Sequence, residues 1–160
     1  MRPVKYDEKS ACFTGHRTLP RGDLLSFASR LMDVVMDLAN NGVTNFKSGG
    51  APGFDQIAAL AVLEAKKINP EITLEMVLPY KSQAAEWDDI TKATYKRLLR
   101  QADDYYYVSE DYHDGCMAER NLRLVTDSHV CVAYLNRQRT GTSQTVRFAL
   151  ERKLEVINLA

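Results

Sequence analysis

The sequence predicts a doubly wound α/β domain: a Rossmann-like, mainly parallel sheet with helices on both faces. Three observations lead there. Short apolar runs alternate with longer amphipathic ones, the first three short runs are closed by segments with glycine or proline, and no Pro/Gly/Ser-rich linker or internal repeat divides the 160 residues. Strands separated by helical crossovers run parallel, and a parallel sheet is covered on both faces. The length suits one domain spanning 1–160.

Ala11-Cys12-Phe13-Thr14 reads as the first strand, closed by Gly15. Leu24, Phe27, Ala28, Leu31, Val34, Val35 and Leu38 then recur at the spacing of one buried helix face. Asn40-Asn41-Gly42 ends that helix, because these residues accept the left-handed backbone of a helix C-terminus. Val43 to Lys47 is a second strand, and an Ala-rich helix from Phe54 carries Ile57, Ala58, Ala61, Val62 and Ala65 up to Asn69-Pro70. Ile72 to Leu78 is a third strand, closed by Pro79-Tyr80, and Trp87, Ile90, Thr94 and Leu98 mark the next helix. Tyr105 to Val108 and His129 to Leu135 are the fourth and fifth strands, with a helix around Met117, Leu124 and Val125 between them. A last helix around Val146, Ala149 and Leu150 precedes a final strand, Val156 to Leu159.

Lys+Arg and Asp+Glu are 21 each, so the net charge is zero. A broad electrostatic footprint for nucleic acid or an anionic membrane is not expected, although a local basic site survives the argument. The first residues contain no apolar leader, and no later run reaches the ~18 apolar residues of a membrane span. The three cysteines cannot all pair, which fits a reduced, cytoplasmic protein, and Cys12 and Cys131 read as small core residues. His113 and Cys116 lack two further ligands at a recognisable spacing, so no metal is expected.

In an open parallel sheet, ligands bind beyond the carboxyl ends of the strands. The unusual residues collect at those ends: Gly15-His16-Arg17, Ser48-Gly49-Gly50-Ala51-Pro52-Gly53-Phe54-Asp55, Pro79-Tyr80, and Asn136 to Thr145. One composite site is the economical reading. The glycine segment has two readings: a phosphate-approaching loop before a helix N-terminus, or a tight turn with Asp55 as a capping carboxylate. It is neither a P-loop nor G-x-G-x-x-G. Gly141, Thr142 and Ser143 open the last helix, either as phosphate donors or as a plain cap. Arg17 suits a phosphate, His16 an acid or base, and Tyr80 and Tyr112 are platforms for a base or loop tyrosines.

Phe13-Thr14-Gly15-His16-Arg17, the glycine segment, Leu78-Pro79-Tyr80, Gly115 to Asn121 and Gly141 to Val146 together resemble the successive signatures of the YpsA-like family. That family belongs to the SLOG superfamily, with the Lonely Guy (LOG) enzymes and the DprA/Smf proteins, and the resemblance runs from Cys12 to Ala149. It implies a Rossmann-like domain binding a nucleotide or nucleotide-derived ligand such as ADP-ribose, NAD or an AMP-like molecule. It also implies no required cofactor and a tendency to form homo-oligomers. By position, Gly49, Gly50, Gly53 and Asp55 match the first ligand loop. Arg120 stands at the spacing of the Met-x-x-Arg motif of LOG enzymes, and Gly141-Thr142 matches their phosphate loop. LOG enzymes hydrolyse the N-glycosidic bond of a nucleoside monophosphate and carry a glutamate two residues after Gly-Thr, where this chain has Gln144. An amide cannot serve as a general base. Thr140 stands where YpsA-like proteins have a glycine.

The expectation is therefore a nucleotide-ligand binding or sensing domain. The alternatives are an N-glycosidase or phosphoribohydrolase using Asp55 or Glu119 as its carboxylate, and DprA-like binding of single-stranded DNA.

Overall fold

The computed structural model describes residues 9–20 and 22–160; the stretch before Lys9, where no apolar leader was read, and Arg21 lie outside them. In chain order the elements are β1 (Lys9–Gly15), α1 (Leu24–Asn40), β2 (Val43–Ser48), α2 (Phe54–Ile68), β3 (Thr73–Tyr80) and α3 (Asp89–Gln101). There follow β4 (Asp104–Ser109), α4 (Cys116–Val125), β5 (Val130–Tyr134), α5 (Gly141–Glu151) and β6 (Glu155–Asn158). The six strands form one sheet in the order β4-β3-β2-β1-β5-β6, and every neighbouring pair is parallel. The predicted doubly wound α/β architecture is the one observed. The order reverses at β1: the chain builds outward to β4, then crosses back to lay β5 on the other side of β1.

Period-two alternation divides each inner strand between two cores. Ala11, Phe13, Phe46, Leu74, Met76, Leu78 and Val132 join α1, α2 and α3 in the larger core. Cys12, Val77 and Cys131 face α4 and α5 in the smaller one. Cys12 and Cys131 are register partners on β1 and β5 and fully buried. A hydrogen bond in which Cys131 keeps its proton toward Cys12, together with burial, pushes the Cys131 thiol up.

The large core is tied together by rings. Phe13 stacks on Phe46 at 5.9 Å, Phe54 meets Phe13, Phe27 and Tyr134 at 6.2 Å each, and Phe27 meets Tyr134 at 5.4 Å. Burying each ring is worth about 1.5–3 kcal/mol. Phe54 is the first residue of α2, so this cluster fixes that helix's start against the ends of β1 and β5. In α1, Phe27, Leu31, Val35 and Leu38 are buried as predicted, whereas Leu24 is exposed beside the Asp23 cap.

Most strand boundaries shift by one or two residues, and two differences from the sequence reading bear on the site. Pro79 and Tyr80 belong to β3, with Tyr80 in register with Ser109. Proline is tolerated there because β3 pairs with β4 alone beyond Met76, so one edge of the strand is open. Trp87 lies outside α3, which starts at Asp89 because the Asp88 side chain caps it by accepting from the Thr91 amide at 2.9 Å. Among the described residues, no helix is long and apolar enough to cross a membrane.

Candidate functional site

A cleft of about 260 Å³ opens where the strand order reverses, over the carboxyl ends of β1 and β5. Of the residues singled out from sequence, Gly15, His16, Arg17, Asp55, Arg120, Gly141 and Thr142 line it. Ser48, Gly49, Gly50, Gly53, Tyr80, Glu119 and Ser143 do not line it.

The start of α2 explains part of that division. Its N-cap is Gly53, which has no side chain to cap with, and Asp55 is not the cap but a first-turn residue. Gly53 has φ +86, and a Cβ built there would lie 2.3 Å from the Arg17 carbonyl oxygen. A Cβ on Gly49 would lie 2.4 Å from Arg120 Nη1. These glycines admit other parts of the protein. Ser48 is likewise committed: its hydroxyl donates to the Asp55 carbonyl at 2.9 Å and accepts from the Gly50 amide at 3.3 Å.

Asp55 is buried, and its Oδ1 has no hydrogen-bond partner. Burial pushes its carboxyl up to about 6, against the pull of Arg120, the Ala51 and Gly15 amides and Arg17. A buried carboxylate oxygen without a partner is a rare and costly arrangement.

Arg120 is 5 % exposed and reaches the cleft because α4 crosses the sheet on its way from β4 to β5. Its Nη1 donates to the Gly49 carbonyl at 3.0 Å and its Nε to Asn121 Oδ1 at 3.1 Å. Asn121 Nδ2 in turn donates to Gln144 Oε1 at 3.1 Å. The amide at position 144 is thus the far end of a chain of contacts that orients Arg120. Burial pulls the Arg120 guanidinium below its usual range, with Asp55 opposing.

His16 is also buried, and its Nε2 accepts from the Asn136 amide at 3.1 Å. Burial, then the positive charge of Arg137, holds the imidazole below its usual pKa, so it is neutral at neutral pH. It serves as a brace between the loops that follow β1 and β5, edge-on to Tyr134 at 6.0 Å.

The start of α5 carries its own cap. The Ser143 amide donates to Thr140 Oγ1 at 3.1 Å and the Thr140 amide to Ser143 Oγ at 2.8 Å, a reciprocal capping box. Thr140 therefore fills the glycine-like position with φ −125, a value open to any residue. Tyr80 is two strands from β1 and packs edge-on against Tyr112 at 5.4 Å.

Sequence reasoning named no role for Thr14, Ala51, Met117, Asn121, Leu124, Arg137 or Thr140 in the lining. Arg137 lay within a segment already marked at a strand end, so its charge was the available signal. Asn121 closes the Gly115 to Asn121 segment of the resemblance, but its role was not readable, since its contact with Gln144 spans 23 residues. Among the described residues, no group of three or more His, Cys, Asp and Glu could hold a metal ion.

Comparison with known proteins places this geometry. The uncharacterised SPbeta prophage-derived protein YoqJ of Bacillus subtilis (strain 168) is 28% identical over 139 residues, covering 79% of this chain and 81% of YoqJ. DNA processing protein A (DprA) from Streptococcus pneumoniae matches in structure with a TM-score of 0.68 at 16% identity, over 92% of this chain and 49% of that one. DprA from Helicobacter pylori, described for its single-stranded DNA binding mode, gives 0.63 at 19% identity, over 92% of this chain and 63% of that one. This chain thus spans about half to two thirds of the DprA chains, and at such identities the likeness is one of fold. The profile of the family described as YspA SLOG family (YpsA) matches residues 25–156, and the chain belongs to that family.

Proposed function

We propose that the cleft binds a nucleotide-derived ligand of the ADP-ribose, NAD or AMP type. One observation carries the reading: a buried carboxylate with an unpartnered oxygen, Asp55, shares a cleft with Arg17, Arg120, Arg137 and the opening residues of α5. A phosphate fits the helix start and the guanidinium groups. A ribose hydroxyl donating to Asp55 Oδ1 supplies the hydrogen bond that the protein does not. Thr142 lines the same wall, whereas Ser143 is spent on the cap. No cofactor is needed for binding of this kind. The reading carries with it a cytoplasmic, self-associating protein, the latter by likeness to its superfamily.

Ligand-observed NMR of the purified protein with ADP-ribose, NAD and AMP, followed over hours, tests it. Line broadening without new ribose signals supports binding; absence of broadening for all three removes the reading.

A nucleotide N-glycosidase is the second reading, favoured by an Asp55 carboxyl that titrates near 6 and so can exchange a proton close to neutrality. Free base and ribose-phosphate signals growing with time would establish it, and Asp55→Asn would then abolish turnover. Binding of single-stranded DNA is supported by the DprA likeness and the arginines, and opposed by the zero net charge. Affinity that falls steeply with salt would favour it, and indifference to DNA at low salt would close it.

A further inference from the structure

The cleft's arginines are held in different ways. Arg120 is buried and fixed by hydrogen bonds at Nε and Nη1. Arg17 is exposed at the rim and, among the described residues, has no hydrogen bond or ion pair. What holds it is a ring: its guanidinium carbon lies 5.8 Å from the centroid of Trp87, within the range of cation–π attraction.

Trp87 is itself held. It packs edge-on against Tyr95 at 5.3 Å, and Tyr95 Oη accepts from Gln83 Nε2 at 3.1 Å. Gln83 is buried although it sits in a turn, and its Nε2 also approaches the Gly49 carbonyl at 3.4 Å. That carbonyl is the acceptor for Arg120 Nη1. The segment between β3 and α3 therefore bears on both arginines, on the exposed one directly through Trp87 and on the buried one through the Gly49 carbonyl that Gln83 and Arg120 share.

We infer that Trp87 is a specificity-determining positioning residue: by holding Arg17 at the rim, it makes the cleft favour ligands with a second phosphate outside the one met by Arg120. The inference rests on the phosphate-ligand reading above. A free arginine loses its rotamer freedom on gripping an anion, and one already seated on an aromatic face loses less. A monophosphate is satisfied inside the cleft; a diphosphate extends to the rim.

Calorimetric titration of the full chain with AMP and with ADP-ribose tests this, using wild type, Trp87→Leu, Trp87→Phe, Arg17→Ala and the Trp87→Leu/Arg17→Ala pair. Trp87→Leu weakens ADP-ribose about fivefold and leaves AMP nearly unchanged, and Trp87→Phe restores most of the loss. The double variant is no weaker than Arg17→Ala alone, because both remove one interaction. Losses that multiply, or that fall equally on AMP and ADP-ribose, would show that Trp87 is only structural and overturn the inference. Trp87 is the sole tryptophan, so its indole N–H resonance is identified without assignment. Arg17→Ala, a surface change, shifts that resonance if the contact exists, and an unmoved resonance overturns the inference without relying on Trp87→Leu. Wild type binding neither nucleotide overturns this inference together with the ADP-ribose and AMP forms of the binding reading. Wild-type binding that Trp87→Leu leaves intact removes this inference alone.

Discussion

Two helix starts face the cleft, and they are built by opposite means. At α2 the glycines are filled by the protein itself: Arg120 occupies the side-chain space of Gly49, and the Arg17 backbone that of Gly53. The helix has no side-chain cap, and its first-turn carboxylate, Asp55, is buried. At α5 a capping box made by Thr140 and Ser143 leaves Gly141 with Asn121 Nδ2, at 3.7 Å, as the nearest neighbour to a built Cβ. The glycine-rich segment that stands out in the sequence is therefore a packing joint that carries Asp55 and seats the arginines. The plainer start of α5 is the open one.

The sharpest way to break this comparison is at Gly53. Gly53→Ala puts a methyl group 2.3 Å from the Arg17 carbonyl oxygen on a residue with φ +86, so both the contact and the backbone resist it. The expected loss is about 3 kcal/mol or more, read as a lower denaturant midpoint with unchanged slope. A near-neutral effect would mean that the two loops are not packed as described.

Asp55 comes next, through pH. Its folded pKa of about 6 lies above the usual 3.8, so the folded protein holds the proton more tightly than the unfolded chain. The stabilisation from this protonation is fully present below pH 3.8 and is lost as pH rises through about 6. Asp55→Asn has no such titration. Relative to that variant, wild type should lose about 2.5 kcal/mol between pH 4 and pH 7.5. Parallel stability curves for the two proteins would show that Asp55 is solvated, and the buried-carboxylate argument would fail. The same substitution should weaken ADP-ribose binding, which sets stability against function at one residue.

The two starts were also unequally legible. Sheet and helices were readable because Phe27, Leu31, Val35 and Leu38, or Ala11 and Phe13 against Cys12, obey the period of their element, and period follows from local geometry. Gly15, Arg17, Asp55 and Arg120 could be marked as site candidates because they sit at strand ends or carry charge in a recognisable motif. The uses of the glycines were not readable, since whether a glycine faces a phosphate or an Arg120 guanidinium depends on a helix more than 60 residues away. Trp87 was misplaced into α3 for a related reason. An apolar residue next to a helical pattern looks like part of it, and only the Asp88 cap and the Arg17 contact show otherwise.

Thr140→Ala probes the α5 start itself. It removes the acceptor for the Ser143 amide and should cost about 1 kcal/mol, the usual value of an N-cap. Ser143 Oγ stays held, since its two partners are the Thr140 amide and carbonyl, while the freed Ser143 amide can donate to an anion, so any affinity for phosphate should change little or rise. A marked loss of affinity at constant fold would instead make Thr140 a ligand contact.

Gly141→Ala is the smallest change in stability and the most direct test of which start is open. The added methyl meets nothing closer than 3.7 Å, and the backbone lies outside the left-handed region, so the fold should be unaffected or gain up to about 1 kcal/mol from the better helix former. The methyl does project at the first residue of α5, beside the cleft. If a phosphate sits there, ADP-ribose affinity falls while the melting temperature holds. If affinity also holds, the anion is met by the arginines alone, and neither helix start contributes to it.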